Sequence, residues 1–417
     1  MKIVSSNKLS SKYYCYLELG KIDVVDKIMD DVRKNGDRAV KKYTKKLDGL
    51  NINSSLIARE QIRDAYKKVG GKDLAILKKA AINIESFARE QLKTFKNFEI
   101  KRNGIILGQK IIPLQRVGCY VPGGRYPLPS SALMSVIPAK VAGVKEIIVC
   151  SPKIQPLTIV AADLAGADKI FNVGGVQAIG AMAYGTETIP RVDSIVGPGN
   201  KYVAAAKKEA YGTVGIDFIA GPSEVLIIAD ETGDPKFIAA DLLAQAEHDP
   251  NARCDLLTTS KILAQQVNNE LFRQLKKLST KETAESALKN GRIVIVRNLD
   301  EAVGISNKRA PEHLELQVKD EKRLIPKLIN YGSLFMGKYS AEVFGDYCSG
   351  TNHTLPTNGA ANYAGGLSVK DFIKIVTYQK INKNGCIALG EVASRMAELE
   401  GLSAHKNAAD IRLKRIK

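Results

Sequence analysis

Residues 146–173 have the sequence EIIVCSPKIQPLTIVAADLAGADKIFNV, in which β-branched runs flank an alanine-rich run. The outer runs, Glu146–Cys150 and Lys169–Val173, have the length and composition of buried strands, and Leu157–Ala165 is typical of a helix. A strand, a helix and a second strand in close succession indicate a βαβ unit with parallel strands. This stretch therefore predicts an α/β protein.

The same alternation continues on both sides of this stretch and starts again near residue 225. Residues 120–224 are expected to form one α/β domain, and their two flanks combine into a second. Residues 22–50 and 60–98 are typical of amphipathic helices, and the chain beyond 371 is typical of a small separate element. The other predicted elements are the strands Ile105–Ile112, Ser194–Val196, Val225–Ile228, Asp255–Thr258 and Arg292–Val296, and the helices Ala132–Gly143, Ala178–Tyr184, Tyr202–Ala210, Pro235–Glu247 and Ile262–Leu278.

Composition is that of an ordinary globular protein, with 45% hydrophobic residues and a formal net charge of +18. The charge invites a nucleic-acid interpretation, but residues 120–224 hold nine Lys and Arg against eight Asp and Glu. Solvated helix faces explain the excess, and attraction to anionic ligands or RNA is the alternative. No apolar run is long enough for a membrane span or a signal peptide, and no Cys-x-x-Cys pair occurs, so we expect a cytoplasmic protein with reduced thiols.

Only four histidines occur, and each lies in a short polar or glycine-rich motif. Imidazole titrates near neutral pH and is the commonest metal ligand. The small number of histidines and their position in such motifs therefore indicate a chemical role. The alternative is four surface histidines placed by chance. They are His248 in LAQAEHDP, His313 in APEHLEL, His353 in GDYCSGTNHTLPT and His405 in EGLSAHKN.

Gln245 and His248 are three residues apart, which would place both on one face of a helix. Their amide oxygen and imidazole nitrogen are possible ligands of a divalent cation, although two ligands alone do not make a site. A helix end capped by polar residues before Asp249-Pro250 is the alternative.

Glu312 and His313 are adjacent, so we place them on a turn after Pro311. A carboxylate beside an imidazole suits paired acid–base work. A polar loop ahead of a strand is the alternative.

Residues 345–357 contain two glycines and a proline, which predicts a constrained loop that aims Asp346 and His353 at a ligand. Cys348 lies between them, but no neighbouring base or positive charge would activate its thiol. We expect that thiol to be inert.

Glycine motifs occur through the first α/β domain, and each follows a predicted strand. Open α/β sheets bind ligands at the carboxyl ends of strands, with phosphate near helix amino termini. None of these motifs reads Gly-x-Gly-x-x-Gly, so a nucleotide site is only weakly indicated and tight βα turns explain them equally. They are Gly123-Gly124, Gly174-Gly175-Val-Gln177, Gly197-Pro-Gly199-Asn200 and Ala220-Gly-Pro-Ser223-Glu224.

Together and in this order, the motifs resemble the histidinol dehydrogenase family from about residue 22 to the end. The resemblance implies oxidation of L-histidinol to L-histidine through L-histidinaldehyde, with two NAD⁺ and a zinc ion. It rests on YVPGG, GGVQAI, GPGNKYVAAAK, AGPSEVLIIAD, LLAQAEHDP, APEHLEL, GDYCSGTNHTLPTNGAANYAGGLSV and EGLSAHKNA.

The resemblance also implies a role for each matching residue. Glu312 and His313 match the catalytic pair, and His313 also matches a substrate contact. The zinc ligands, which the family places against the substrate as well, would be Gln245, His248, Asp346 and His405. The further substrate contacts would be Ser223, His353 and Glu400, and the NAD contacts Tyr120, Gln177 and Asn200.

The family's architecture implies two incomplete Rossmann-like domains with parallel-sheet cores, and small terminal elements used in dimerisation. Residues 1–21 would be an N-terminal segment, and 22–119 with 225–370 a discontinuous domain that carries the zinc and catalytic residues. Residues 120–224 would bind NAD, and 371–417 would complete a homodimer whose partner chain supplies His405. Neither nucleic acid nor membrane is an expected partner. A related zinc and NAD dehydrogenase of another small polar alcohol is the nearest alternative.

Overall fold

The computed structural model describes residues 1–14, 20, 22–123, 126–219 and 221–416. Gly124 and Ala220, which the glycine motifs include, lie outside this part of the chain. No helix in the described ranges combines the length and the apolar character that crossing a membrane requires.

The strands fall into three sheets. They are β1 (Lys2–Ser5), β2 (Phe98–Arg102), β3 (Ile105–Pro113), β4 (Arg116–Tyr120), β5 (Glu146–Cys150), β6 (Lys169–Phe171), β7 (Ser194–Val196), β8 (Gly215–Ile216), β9 (Glu224–Ala229), β10 (Arg253–Thr258), β11 (Arg292–Ile295), β12 (His313–Gln317), β13 (Ser333–Met336) and β14 (Ile373–Ile381).

The helices alternate with the strands through the middle of the chain. They are α1 (Asp23–Tyr43), α2 (Arg59–Lys68), α3 (Gly71–Lys93), α4 (Pro129–Ala142), α5 (Pro156–Ala165), α6 (Gly175–Tyr184), α7 (Lys201–Ala210), α8 (Pro235–Ala246), α9 (Lys261–Leu275), α10 (Lys281–Ala287), α11 (Leu299–Arg309), α12 (Glu321–Leu324), α13 (Glu342–Tyr347), α14 (Lys383–Leu399) and α15 (Ser403–Ile416).

A five-stranded parallel sheet contains the stretch that predicts the fold, in the order β6-β5-β4-β7-β8. Three of its strands begin with a charged residue, Arg116, Glu146 or Lys169, and are mostly apolar and buried beyond it because helices cover both faces. Ile148, Phe171 and Ile195 lie in one buried cluster with Met29 and Val32 of α1, which packs against α6. The amphipathic N-terminal helix therefore belongs to the layer over this sheet.

A six-stranded parallel sheet has the order β1-β11-β10-β9-β12-β13. The sequence predicts its central strands β9, β10 and β11. It does not predict β1, in which Lys2 pairs with Arg292 at the sheet edge. Two parallel sheets with interleaved helices confirm the predicted α/β class.

Contacts divide the chain into two compact units, Met1–Arg89 with Leu114–Phe372, and Glu90–Pro113 with Ile373–Lys417. The first contains both parallel sheets. The second contains the antiparallel sheet β14-β3-β2 and the helix pair α14–α15. The strand predicted at Ile105–Ile112 is therefore part of this antiparallel sheet. The functional division into domains and the use of the terminal elements in dimerisation stay predictions.

Three local predictions are wrong, and they concern His248, His313 and Asp346. His313 is the first residue of the strand β12 and does not lie on a turn. The helix α8 ends at Ala246, so His248 lies in the turn that follows it. Pro250 disfavours helical backbone at the residue before it, which explains the early end. Asp346 lies on the short helix α13 and not in a loop.

Two glycine-containing motifs, residues 345–357 and 220–224, also differ from their predicted roles as turns. A Cβ at Gly345 would come within 2.6 Å of the Phe335 ring, so this glycine allows a helix to pack closely and does not form a turn. The Ala220–Glu224 motif precedes the strand β9, and does not join a strand to a helix.

Candidate active site

The amino ends of β9 and β12 meet side by side in the six-stranded sheet, where His313 pairs with Val225. Glu312 directly precedes β12, and Ser223 directly precedes β9. The helix α8 runs back from β9, so that its last turn brings Gln245 toward the same edge. The candidate catalytic residues thus lie at the amino ends of parallel strands, opposite to the usual ligand-binding edge of open α/β sheets.

One residue, Glu224, positions both members of the acid–base pair through its main chain. Its N–H donates to Glu312 Oε2 at 2.9 Å, and its carbonyl oxygen lies 3.2 Å from His313 Nδ1. A carbonyl can only accept, so Nδ1 carries the proton and Nε2 of a neutral ring keeps its lone pair. The backbone of β9 therefore selects the tautomer that a general base needs.

The side chain of Glu224 is itself held from two sides. Arg309 Nη2 donates to its Oε2 at 2.6 Å, and the main-chain N–H of Asn358 donates to its Oε1 at 3.0 Å. Both charged side chains are buried. Since a buried charge needs a close partner, this ion pair fixes the end of β9, whose main chain contacts Glu312 and His313.

His313 Nε2 is buried and makes no hydrogen bond to any described residue. Its nearest acidic neighbour is Asp346 Oδ1 at 3.4 Å. Burial by itself lowers the pKa of His313, but the carboxylates of Glu312, Asp346 and Glu342 outweigh burial and raise that pKa well above its usual value. The raised pKa favours the protonated ring, so His313 must give up a proton before Nε2 can act as a base. A buried imidazole with a shifted pKa among carboxylates is a candidate for proton transfer.

Glu312 is only 6% exposed. Burial raises the pKa of its carboxyl group to about 8, although His313 and the N–H of Glu224 oppose the rise. A carboxyl group that ionises near this pH can accept a proton from water under ordinary conditions.

Gln245 is almost fully buried beside the carboxylate of Glu342. With its amide nitrogen turned toward Glu342, it donates to both carboxylate oxygens, at 3.1 and 3.2 Å. Glu342 accepts only, so this contact directs the amide oxygen away from Glu342. That oxygen is then available to a cation.

Asp346 is the electrostatic centre of the candidate metal ligands. Burial raises its pKa, but His313, His353 and His248 act in the other direction and the net shift is downward, so the carboxylate form is favoured. His248 is exposed in the turn after α8. One imidazole and two oxygen donors from Gln245, His248 and Asp346 suit zinc, and they leave further positions of a zinc coordination shell open. Among the described residues, no three His, Cys, Asp or Glu side chains gather as a metal cluster.

Both ring nitrogens of His353 contact protein groups. Nδ1 lies 2.8 Å from the Asp346 carbonyl oxygen, and Nε2 lies 3.2 Å from Ser131 Oγ on α4. Burial lowers the pKa of His353, which favours the neutral ring. The ring therefore links the loop after α13 to the layer over the five-stranded sheet. Its contact with substrate stays a prediction.

Glu400 and His405 lie in the second unit, at the end of α14 and on α15. Both are exposed there. The site described above belongs entirely to the first unit. The assignment of His405 as a ligand from a partner chain stays a prediction.

The candidate NAD contacts lie at the carboxyl ends of the five-stranded sheet. Tyr120 ends β4, and its hydroxyl accepts a hydrogen bond at 3.1 Å from the N–H of Gly175, the first residue of α6. Gln177 donates to Asp48 at 3.2 Å, while its own amide oxygen is buried and has no hydrogen-bond partner in the described chain. Asn200 caps α7. A buried amide oxygen without a hydrogen-bond partner in the described chain, close to the amino end of α6, suits a polar ligand such as a dinucleotide.

Sequence reasoning missed the residues that support the site. Arg309 and Glu342 are buried charged residues, but each lies in an ordinary helical pattern. Glu224 follows the Gly-Pro-Ser motif, and its main-chain role carries no sequence signature. Arg309 directly precedes Ala310, whose backbone is left-handed with φ of 44° and ends α11. This backbone conformation is visible only in the structure, since an alanine in the sequence does not indicate it.

The fold and this geometry define an α/β enzyme with a buried carboxylate–imidazole pair and, in a neighbouring parallel sheet, a ligand-binding edge. The chain belongs to the histidinol dehydrogenase family, whose profile matches residues 19–413. It is thus a dehydrogenase, as the motifs predict. It is 47% identical to the histidinol dehydrogenase of Methanocaldococcus jannaschii over 99% of this chain and 96% of that protein.

Two further relatives support the family assignment. The histidinol dehydrogenase of Lactococcus lactis is 46% identical over 93% of this chain and 92% of that protein. The crystal structure of histidinol dehydrogenase from Elizabethkingia anophelis superposes with a TM-score of 0.94 at 38% identity, and covers 100% of this chain and 98% of that one. The likeness thus extends over the whole fold.

Proposed function

We propose that this protein oxidises L-histidinol to L-histidine through L-histidinaldehyde, with two NAD⁺ and a zinc ion, in histidine biosynthesis. Family membership supports the reaction. The observation that carries the chemistry is the arrangement of His313, whose Nδ1 faces the carbonyl of Glu224 while its buried Nε2 has no hydrogen-bond partner among the described residues.

When bound, NAD⁺ supplies the hydride acceptor and Zn²⁺ supplies a Lewis acid for the imidazole and amino nitrogens of histidinol. Gln245, His248 and Asp346 would hold the metal from this chain. Tyr120, Gln177 and Asn200 would contact the dinucleotide. The imidazole and oxygen donors of Gln245, His248 and Asp346 fit zinc. The amide oxygen of Gln177, which has no hydrogen-bond partner among the described residues, fits the dinucleotide.

His313 acts as the base in both oxidations. Its Nε2 takes the hydroxyl proton of the alcohol, and later a proton of the hydrated aldehyde. The contact with Glu224 keeps Nε2 pointed at the substrate, because rotation of the ring would break the Nδ1–H···O=C interaction. Such a fixed base contributes about 10²–10⁴-fold to the rate.

Glu312 activates the water that adds to the aldehyde. This water supplies the second oxygen of the carboxylate product, so the reaction needs no activated cysteine. The pKa of about 8 places Glu312 close to the pH at which a general base works best.

His405 of a second copy would complete the metal site, and Glu400, His353 and Ser223 would contact substrate. The exposure of His405 on α15 supports this proposal, since a ligand that crosses between chains must be accessible in one chain. Mixing two inactive variants, His405→Asn and His313→Gln, tests it. Subunit exchange should restore up to about a quarter of the activity if the site is shared between chains. No recovery after demonstrated exchange would contradict a shared site.

The reaction itself is tested by NADH absorbance with histidinol, with and without a chelator. We expect NADH to form with histidinol and not with unrelated small diols, and chelation to abolish turnover without unfolding the protein. Preference for another alcohol would overturn the substrate assignment, and salt-sensitive RNA binding without NADH formation would overturn the enzymatic one. The cytoplasmic location stays a prediction.

A further inference from the structure

The turn Gly197-Pro-Gly-Asn200 joins β7 to α7 and lies against the end of β4. Gly197 has a left-handed φ of 113°, and a Cβ there would lie 2.1 Å from the carbonyl oxygen of Tyr120. Only glycine permits this approach. The turn therefore places Asn200 and Tyr120, two of the proposed NAD contacts, on adjoining pieces of backbone.

A buried ion pair holds both polar groups of Gly197. Its carbonyl oxygen accepts a hydrogen bond at 2.9 Å from Lys207 Nζ, and its N–H donates to Asp217 Oδ2 at 2.8 Å. Lys207 also donates to Asp217, which accepts a further hydrogen bond at 2.7 Å from the N–H of Phe218. The two side chains are 3% and 1% exposed, so solvent does not weaken the pair.

The ion pair Lys207–Asp217 is unusual because both of its side chains hydrogen-bond the same peptide turn, at Gly197. Buried ion pairs seldom stabilise a fold more than apolar residues of the same size would, so stability alone explains Lys207 and Asp217 poorly. At the other end of the turn, Asn200 Oδ1 accepts from the N–H groups of Tyr202 and Val203 at 3.0 and 3.2 Å. Both ends of the turn are thus fixed.

We propose that Lys207 and Asp217 are positioning residues for the dinucleotide. They hold Gly197 so that Asn200 and the end of β4 keep the spacing that NAD⁺ requires, and they contact the dinucleotide only through this turn. The inference rests on the proposed function, since it takes NAD⁺ as the ligand of this edge. It adds roles for two buried residues: Lys207, the last residue of the motif GPGNKYVAAAK, and Asp217, to neither of which the family resemblance assigns a function.

The test compares Lys207→Met with the double variant Lys207→Met/Asp217→Asn. The double variant leaves no unpaired buried charge, and its asparagine oxygen can still accept from Gly197, so it is protected against the unfolding that the single variant risks. Lys208→Met is the matched control, because Lys208 is the next residue of α7 and is exposed. It removes the same charge without touching the turn.

Equilibrium binding of NAD⁺ without histidinol is measured first, followed by the KM for NAD⁺, the KM for histidinol, kcat and Tm. We expect the dissociation constant for NAD⁺ to rise about tenfold in both Lys207 variants, equivalent to about 1.4 kcal/mol. The KM for histidinol and kcat at saturating NAD⁺ should stay within about threefold of wild type, and Lys208→Met should match wild type.

An unchanged NAD⁺ dissociation constant in the folded double variant would overturn the inference. A fall of kcat and Tm together with a rise of both KM values would also overturn it, because that pattern indicates a merely structural role. Asp217→Asn alone keeps the Lys207–Gly197 hydrogen bond and should weaken NAD⁺ binding less than Lys207→Met does. If wild type itself does not bind NAD⁺, the proposed function fails instead, so the two failures are distinguishable.

Discussion

His313 Nδ1 lies 3.2 Å from the main-chain carbonyl oxygen of Glu224, on the neighbouring strand of the six-stranded sheet. The same residue's N–H donates to Glu312 at 2.9 Å. One peptide segment of β9 thus orients the base and the carboxyl group together. The predictions below follow from this relationship and from the residues around it.

Replacing His313 by Gln should abolish both half-reactions, because a single imidazole serves as the base in each. We expect kcat to fall about 10²–10⁴-fold with histidinol and, separately, with histidinaldehyde. NADH formation from each compound is the measurement. An unimpaired aldehyde step would show that a different group is the base in the second oxidation.

Glu312 should give the aldehyde step a pH dependence near pH 8. Burial raises its pKa to about 8, so the carboxyl group is protonated below that pH and becomes a usable base above it. The rate of aldehyde oxidation should therefore rise between about pH 6 and pH 9, by up to tenfold per unit below the pKa. Glu312→Gln should remove this ionisation from the profile and slow the step at every pH, whereas a profile that keeps its shape would exclude the role.

Arg309→Met should destabilise the protein, because it leaves Glu224 as a buried charge without the 2.6 Å hydrogen bond from Arg309. Loss of one partner of a buried pair costs about 3–5 kcal/mol. Urea denaturation gives the free energy of unfolding. Lys308→Met, at the neighbouring position of α11, is the control and should change it little. A loss below about 1 kcal/mol in Arg309→Met would mean that the pair does not anchor β9.

Glu342→Gln should weaken zinc binding. A carboxylate only accepts hydrogen bonds and so orients the Gln245 amide in one way, whereas a glutamine can also donate and allows both orientations. Burial raises the pKa of Glu342, but a bound cation nearby favours its ionised form. We expect zinc affinity to fall about 10–100-fold in competition with a chromogenic chelator.

Gln317→Leu is the control for Glu342→Gln. Gln317 hydrogen-bonds the buried carboxylates of Asp241 and Glu315 at 3.3 and 3.1 Å, and in the described part of the chain these bonds do not involve Gln245. Equal zinc affinity in Glu342→Gln and wild type would show that Gln245 needs no such support.

The sequence predicts much of the fold because strands buried on both faces have an unmistakable composition. The strand at Glu146–Cys150 is found with the predicted bounds. The sequence does not predict the edge strand Lys2–Ser5, whose pairing with β11 joins residues almost 300 positions apart in the chain. The predicted end of α8, at Glu247, is one residue beyond the observed end at Ala246.

The candidate site likewise contains residues that the sequence identifies and residues that it does not. Side chains that carry chemistry, such as His313 and Gln245, stand out by residue type and motif. Glu224 does not, because it acts through its N–H and carbonyl, which every residue possesses. Arg309 is equally inconspicuous among the 62 lysines and arginines of the chain, and although Lys207 ends the motif GPGNKYVAAAK, only the fold shows that both residues are buried.

If one site carries histidinol through two successive oxidations, the amount of NADH formed from a limiting amount of histidinol shows it, provided that the histidinol is consumed completely and the product is identified. We expect two NADH per histidinol, with histidine as the product and no free aldehyde. One NADH per histidinol with accumulation of histidinaldehyde would contradict it.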